Sequence, residues 1–242
     1  MRQEPDAEPP ILAVTGMSRR FGEEYALVDV GFQVHAGEIL GIIGPNGAGK
    51  TTLMECLAGL LPAHAGEVRC RNVPLHASRR KQALFYLPDS ITPWGDQPVH
   101  RVTGLFREVF ARERSEERRI VQQLELGPVL DKPVQNLSKG NRRRFLLALA
   151  LLTPQPVLVM DEPFDGFDLR QTLNVMALLR KIAAEGRALV LSIHQLNDAE
   201  RVCDRLLLLD AGRVIGYGSL DELRSQASMS DGRLEEVFLA LT

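Results

Sequence analysis

Cysteine is scarce: Cys56, Cys70 and Cys203 are the only three in 242 residues, odd in number and without a CxxC pair. That excludes a disulfide framework and a zinc ribbon, and it suits a reducing compartment. An excess of one charge sign is also lacking. Lys and Arg number 29 and Asp and Glu 31, a formal net charge of −2, so no bulk attraction draws the chain to nucleic acid or to an anionic membrane, and such a contact has to come from a local patch or through a partner. Long apolar runs are missing. The most apolar stretch, residues 145–152, is cut by Thr153-Pro154-Gln155-Pro156, far short of the roughly 20 residues of a spanning helix, so the chain is expected to be soluble. Residues 1–10 are polar and proline-rich without the apolar run of a signal peptide, and are expected to form a disordered tail. The balance is ordinary for a globular protein, with 45% apolar and 25% charged residues, and the length suffices to bury a sizeable core.

Hydrophobic patterning then divides the chain. Residues 11–14 and 27–34 alternate apolar and polar positions between glycines, predicting short strands of a small antiparallel sheet. Residues 38–43 predict a buried strand that runs into a glycine-rich segment, with an apolar helix over 53–61 after it. Residues 83–87 form a further strand. From about 90 to 136 strand runs stop, and aromatic, basic and acidic residues recur with helical spacing, 107–119 among them, as expected of a helical insertion into an α/β body. A helix over 137–152, a fully apolar strand over 157–160, an amphipathic helix over 169–185 stopped by Gly186, and a strand over 188–193 follow. A helix near 198–204, a strand pair 206–209 and 214–217 around Asp210-Ala211-Gly212, and short helices to Thr242 complete the pattern. The fold class is α/β: a phosphate-loop NTPase core with a mostly parallel sheet, a small N-terminal antiparallel β subdomain, and a helical subdomain at about 90–152 within one domain spanning 11–242.

The chemistry concentrates at the strand exits. Gly44-Pro45-Asn46-Gly47-Ala48-Gly49-Lys50-Thr51-Thr52 has the spacing of a loop whose backbone N–H groups curl around phosphate oxygens at a helix start. In such a loop Lys50 reaches the β- and γ-phosphates and the Thr51 hydroxyl gives Mg²⁺ one ligand. Asp161 ends a buried strand, where it can hold the water shell of that ion. Glu162 follows at the turn, placed to take a proton from a water in line with the γ-phosphate as general base, the other reading being a solvated acidic turn. His194, at the exit of the next strand, either donates to the γ-phosphate or is structural.

In this order and spacing, residues 44–52, Leu137-Ser138-Lys139-Gly140-Asn141, residues 157–163, Asp168 and His194 resemble the nucleotide-binding subunit of ATP-binding cassette (ABC) transporters. The similarity runs from about residue 12 to 241. Its most specific piece is the Leu-Ser-x-Gly-x segment upstream of the Asp161-Glu162 strand, which ordinary phosphate-loop enzymes lack. The resemblance implies a Mg²⁺-dependent ATP hydrolase in which Ser138 and Gly140 of one subunit close over the γ-phosphate held by the loop of the other, burying two ATP molecules in a head-to-tail dimer. Ser138 read alone is equally a plain helix N-cap. The resemblance further implies that Phe21 stacks on adenine, a core phenylalanine being the alternative, that Asp168 belongs to the loop crossing the dimer, and that Thr51, Asp89 and Asp161 face Mg²⁺. The partners it implies are a second copy of the chain or a related ATPase subunit and an integral membrane subunit, with no nucleic acid, at the cytoplasmic face of the cell membrane. The segment 234–241 resembles the exporter branch with a separate membrane subunit.

The chain departs from the family pattern in three respects. Asp89 stands where a glutamine is usual, Lys139 and Asn141 replace a glycine and a glutamine, and Asp165-Gly166-Phe167-Asp168 replaces a small-residue loop. Lys139 at a helix start calls for an anion, either a γ-phosphate across a dimer or Asp165 or Asp168, unless it points into solvent. Trp94 either lines a groove for a helix of the membrane partner or packs within the insertion. Two other functions remain open at this point: a non-transport ABC-type ATPase acting as a regulatory or nucleic-acid-associated switch, and a small-molecule kinase, which would leave the 137–141 segment unexplained.

Overall fold

In chain order the elements are β1 (Leu12–Phe21), β2 (Glu24–Val34), β3 (Ile39–Ile43), α1 (Lys50–Ala58), β4 (Ala65–Cys70), β5 (Val73–Pro74), β6 (Leu84–Leu87), α2 (Val99–Val109) and α3 (Arg114–Gln123). They continue with α4 (Lys139–Leu152), β7 (Val157–Asp161), α5 (Leu169–Ala184), β8 (Ala188–Ser192), α6 (Leu196–Val202), β9 (Arg205–Asp210), β10 (Arg213–Gly218), α7 (Leu220–Gln226) and α8 (Leu234–Leu241). The computed structural model describes residues 9–89 and 91–242, so most of the expected tail, residues 1–8, lies outside the described residues.

The central sheet has six strands in the order β10-β9-β3-β8-β7-β6. All neighbours are parallel except the edge pair β9–β10. Strands β3, β7 and β8 are buried at every position, because each face of the sheet has its own cover. Leu158, Met160, Leu189, Leu191, Leu206 and Leu208 pack with Phe145 to one side. Leu40, Ile42, Val157, Val159, Val190 and Leu207 pack with Leu53, Leu57 and the antiparallel sheet on the other. A sheet covered on both faces needs continuous apolar strands, which is the composition found.

The antiparallel sheet, β2-β1-β4-β5, is larger than the sequence predicts. Strand β1 runs to Phe21 through register shifts rather than stopping at residue 14. Strands β4 and β5 are additions: of residues 65–70 only Val68 is buried, so there is no alternation to read. The expected helix over 53–61 begins earlier, at Lys50, and Gly59 ends it. The helical spacing over 107–119 is not one helix. The chain breaks between α2 and α3, with Ala111 at φ 50°, and Arg112 turns back to donate to the carbonyls of Leu152 at 3.1 Å and Thr153 at 2.8 Å. Those are orphan acceptors at the end of α4, so the break satisfies groups that a continuous helix would leave bare. The two helices stay joined through Glu117, which accepts from Thr103 at 2.9 Å and pairs with Arg107 at 2.9 Å.

Gly41 lies where β3 passes close to the chain after α6. A Cβ there would meet Cys203 Sγ at 2.6 Å and Leu206 Cδ2 at 3.0 Å. Gly41→Ala is therefore expected to destabilise the protein by about 1–3 kcal/mol through overpacking. Removing the obstructing sulfur in the double variant Gly41→Ala/Cys203→Ala should recover part of that loss. Urea unfolding decides it, and a double variant no more stable than Gly41→Ala alone contradicts the proposed contact.

Candidate active site

The glycine loop is held open from behind. A Cβ on Gly44 would lie 2.1 Å from the Leu209 carbonyl oxygen, and Gly49, at φ 103°, would carry one 2.5 Å from the Ala26 carbonyl, so only glycine fits where the loop crosses β2 and β9. Pro45 accepts from the Ala48 N–H at 3.2 Å, and Ala48, itself buried, accepts from Gly212 at 3.0 Å. Lys50 is 7% exposed, and its Nζ donates to the carbonyls of Gly44 at 2.7 Å and Pro45 at 3.1 Å. Burial pulls its pKa down, opposed by the charges of Glu162 and Asp161. A desolvated ammonium whose partners are neutral carbonyls is a strong attractor for an anion entering the loop.

The opposite wall comes from β7 and β8. Their register sets Asp161 beside Ser192. The Ser192 hydroxyl, fully buried, donates to Asp161 Oδ1, lies 3.1 Å from Glu162 Oε1, and accepts from the Glu162 N–H at 3.0 Å. Thr51 Oγ1 donates to Asp161 Oδ2 at 3.0 Å. Glu162 sits at φ 51°, a left-handed conformation that costs on the order of 1–3 kcal/mol in a residue with a side chain. The turn it makes swings its carboxylate into contact with His194, Nε2 to Oε1 being 3.0 Å. Burial raises the Glu162 pKa and Asp161 adds to that, while His194, the Ser192 hydrogen bond and Lys50 pull the other way.

Loop and carboxylates face one cleft of about 300 Å³, lined by Asn46, Gly47, Gly49, Lys50, Thr51, Thr52, Asp89, Asp161, Glu162 and His194 together with Ala26. Gly44, Pro45 and Ala48 form the loop's inner frame. Other residues singled out in the sequence lie elsewhere. Phe21 is 52% exposed, hence no core residue, and the Arg19 guanidinium lies 4.7 Å from its ring centre. Ser138 caps α4, accepting from the Asn141 N–H at 3.3 Å, and neither it nor Gly140 lines the cleft. Asp168 caps α5, accepting from Gln171 at 2.8 Å. Trp94 packs edge-on against Phe106 at 5.9 Å yet stays half exposed. Lys139 pairs with Asp165 at 2.6 Å, which answers the unfavourable cation at a helix start: the dipole term, about 0.3–1 kcal/mol, and an exposed ion pair, about 0.2–1 kcal/mol, nearly cancel.

Two residues escaped the sequence reading. Ser192 is a lone hydroxyl inside an apolar strand, two positions before His194, and Arg143 lies four positions before Leu147 on the buried face of α4; a polar group on an apolar face was the available signal. For a metal, Thr51 and Asp161 supply hard oxygen donors 3.0 Å apart beside the loop, which suits a divalent cation completed by phosphate and water. Among the described residues no cluster of three or more His, Cys, Asp or Glu offers an all-protein cage, and no helix is long and apolar enough to cross a membrane.

Comparison with known proteins matches residues 27–165 to the ABC transporter family. The Nod factor export ATP-binding protein I of Ralstonia nicotianae is 35% identical over 222 residues, 88% of this chain and 68% of that one. The zinc transport system ATP-binding protein TroB of Treponema pallidum is 33% identical over 218 residues, 86% of this chain and 80% of its own. Among solved structures, an ATP-binding subunit of an ABC transporter superposes with a TM-score of 0.87 at 28% identity, covering 96% of this chain and 99% of that one.

Ser192→Ala removes the hydroxyl shared by both carboxylates and the Glu162 N–H. It is expected to cost about 1–3 kcal/mol of stability, while leaving nucleotide affinity near wild type because the loop is untouched. Chemical denaturation and ligand titration check both parts, and unchanged stability would show that Ser192 is not the bridge.

Proposed function

The chain belongs to the ABC transporter family, and on that premise we propose how its cleft works. It is an ATP-binding and ATP-hydrolysing subunit that powers a transporter. In our reading the loop 44–52 wraps the phosphates, with Pro45, Asn46 and Ala48 shaping it and the N–H groups of Gly47, Gly49, Lys50, Thr51 and Thr52 turned to the anion. Lys50 leaves the carbonyls of Gly44 and Pro45 for the β- and γ-phosphates. Thr51 and Asp161 would hold Mg²⁺, with Asp89 at its edge, and the ion supplies charge neutralisation on those phosphates. Phe21, at the surface, offers its ring to adenine.

The observation that carries the hydrolytic reading is the left-handed turn at Glu162, which brings a partly buried carboxylate into the same cleft as Lys50 and onto His194. Glu162 takes the proton of the attacking water, and His194, on the exposed side, fixes the carboxylate and donates toward the γ-phosphate. Ser138, Gly140 and the Asp165–Asp168 loop serve a second copy of the chain, since neither Ser138 nor Gly140 lines the cleft of its own subunit and the N–H groups at a helix start suit a phosphate. We read residues 11–242 as one ATPase domain with its helical part at about 90–152. It works at the cytoplasmic face of the membrane, held there by a separate integral membrane subunit and independent of nucleic acid. Likeness to a relative named for Nod factor export supports export as the direction of transport.

Glu162→Gln keeps the shape of the side chain but cannot accept a proton, and is expected to lower turnover by roughly 10²–10⁴-fold with ATP affinity retained. Lys50→Ala should instead lose affinity, because the charge on the phosphates is gone. Phosphate release and nucleotide titration separate the two, and wild-type turnover in Glu162→Gln removes it as the base.

A further inference from the structure

Arg143 is 4% exposed, one turn into α4, and a guanidinium so placed must have partners on every side. It finds them in two other segments. Nη2 donates to Asp89 Oδ1 at 2.7 Å, to the Asp161 carbonyl at 2.7 Å and to the Glu162 carbonyl, and Nη1 reaches the carbonyls of Pro88 at 3.4 Å and Asp89 at 3.3 Å. The peptide groups of Glu162 are thereby fixed on both sides, its N–H by Ser192 and its carbonyl by Arg143. Asp89, tied to the same guanidinium, borders both the nucleotide cleft and a second depression of about 340 Å³ at the start of α4.

We propose that Arg143 is a positioning residue for hydrolysis: it holds Glu162 in its left-handed turn and fastens Asp89 to the same point, so that α4 carries the base and the Asp89 loop as one unit. The proposal rests on Glu162 acting as general base. Only arginine has the shape for the task, since its planar fork of five donors reaches both segments from α4 where an ammonium has three donors at one point. No nucleotide contact is asked of Arg143, so its removal acts on turnover and leaves affinity alone. Asp89 reaches α4 through Arg143, so losses at the two positions do not add.

The test compares full-length wild type, Arg143→Gln, Arg143→Lys, Asp89→Asn and Arg143→Gln/Asp89→Asn by steady-state ATPase kinetics, ATP titration and amide hydrogen exchange. The expected result is a tenfold or greater fall in kcat in both Arg143 variants. ATP affinity should stay within about twofold of wild type, and exchange should be faster over residues 161–165 but not over 44–52. The double variant should lose less than the product of the two single losses, because the tie between Asp89 and Arg143 is counted in both. If Arg143→Gln does not fold, Arg143→Lys, which keeps the charge and stem, decides the matter by the same readings. Wild-type kcat with unchanged exchange at 161–165, losses of affinity and turnover together, or additive losses in the double variant overturn the proposal. Glu162→Gln run alongside keeps the two readings apart: wild-type turnover there removes the base, whereas an inactive Glu162→Gln beside a fully active Arg143→Lys removes only the positioning role.

Discussion

Asp161 and Glu162 are consecutive carboxylates at the exit of a strand buried on both faces, and the need to satisfy them away from water is the constraint around which the site is built. Carboxylates withdrawn from solvent need hydrogen-bond donors and cations around them. The structure supplies these from four directions. Thr51 donates to Asp161 from the phosphate loop, Ser192 bridges the pair from the neighbouring strand, His194 meets Glu162 from the solvent side, and Arg143 takes the carbonyls behind them. Lys50 faces both acids across the cleft, and its ammonium is favoured by them against the cost of its own burial.

That convergence follows from the topology. In a parallel sheet every strand delivers its exit to the same edge, so β3 brings the loop, β7 the acids and β8 the serine and histidine to one place. The order β3-β8-β7 sets Ser192 between the loop strand and the acidic strand, where its single hydroxyl reaches both carboxylates. Helix α4 then touches this edge from outside through Arg143, while its own N-terminus, capped by Ser138 and linked through Lys139 to Asp165, is not part of the cleft lining. One chain thus assembles the cleft and, separately, a capped helix start that our reading gives to a second copy.

Legibility in the sequence tracked how local each feature is. The loop could be read whole, because strand, glycines, lysine and helix are contiguous, and Asp161-Glu162 stood out against the apolar run before them. Helix α4 announced itself by its opening at Leu137-Ser138 and α5 by its amphipathic spacing and the Gly186 stop, whereas the cap that Asp168 gives α5 emerged only in the fold. Strand β4 did not announce itself, since one buried residue in six leaves no alternation. The break between α2 and α3 was hidden because its cause is remote: Arg112 answers carbonyls at the end of α4. Arg143 and Ser192 were hidden likewise, for each gains its meaning only when segments far apart in the chain meet. For Lys139 the sequence posed the right question, which anion offsets the helix start, and folding selected Asp165 from the choices.

The central claim is that the hydrolytic site is completed by the α4 start of a second copy, and pairing two inactive variants tests it most directly. Lys50→Ala lacks the phosphate-binding charge. Ser138→Asp keeps a good N-cap but turns a carboxylate toward the γ-phosphate of the partner. A mixed dimer contains one fully defective site and one with an intact loop and an intact helix start, so the mixture should hydrolyse ATP well above the sum of its components assayed apart. A mixture no more active than that sum would mean that each chain completes its own site.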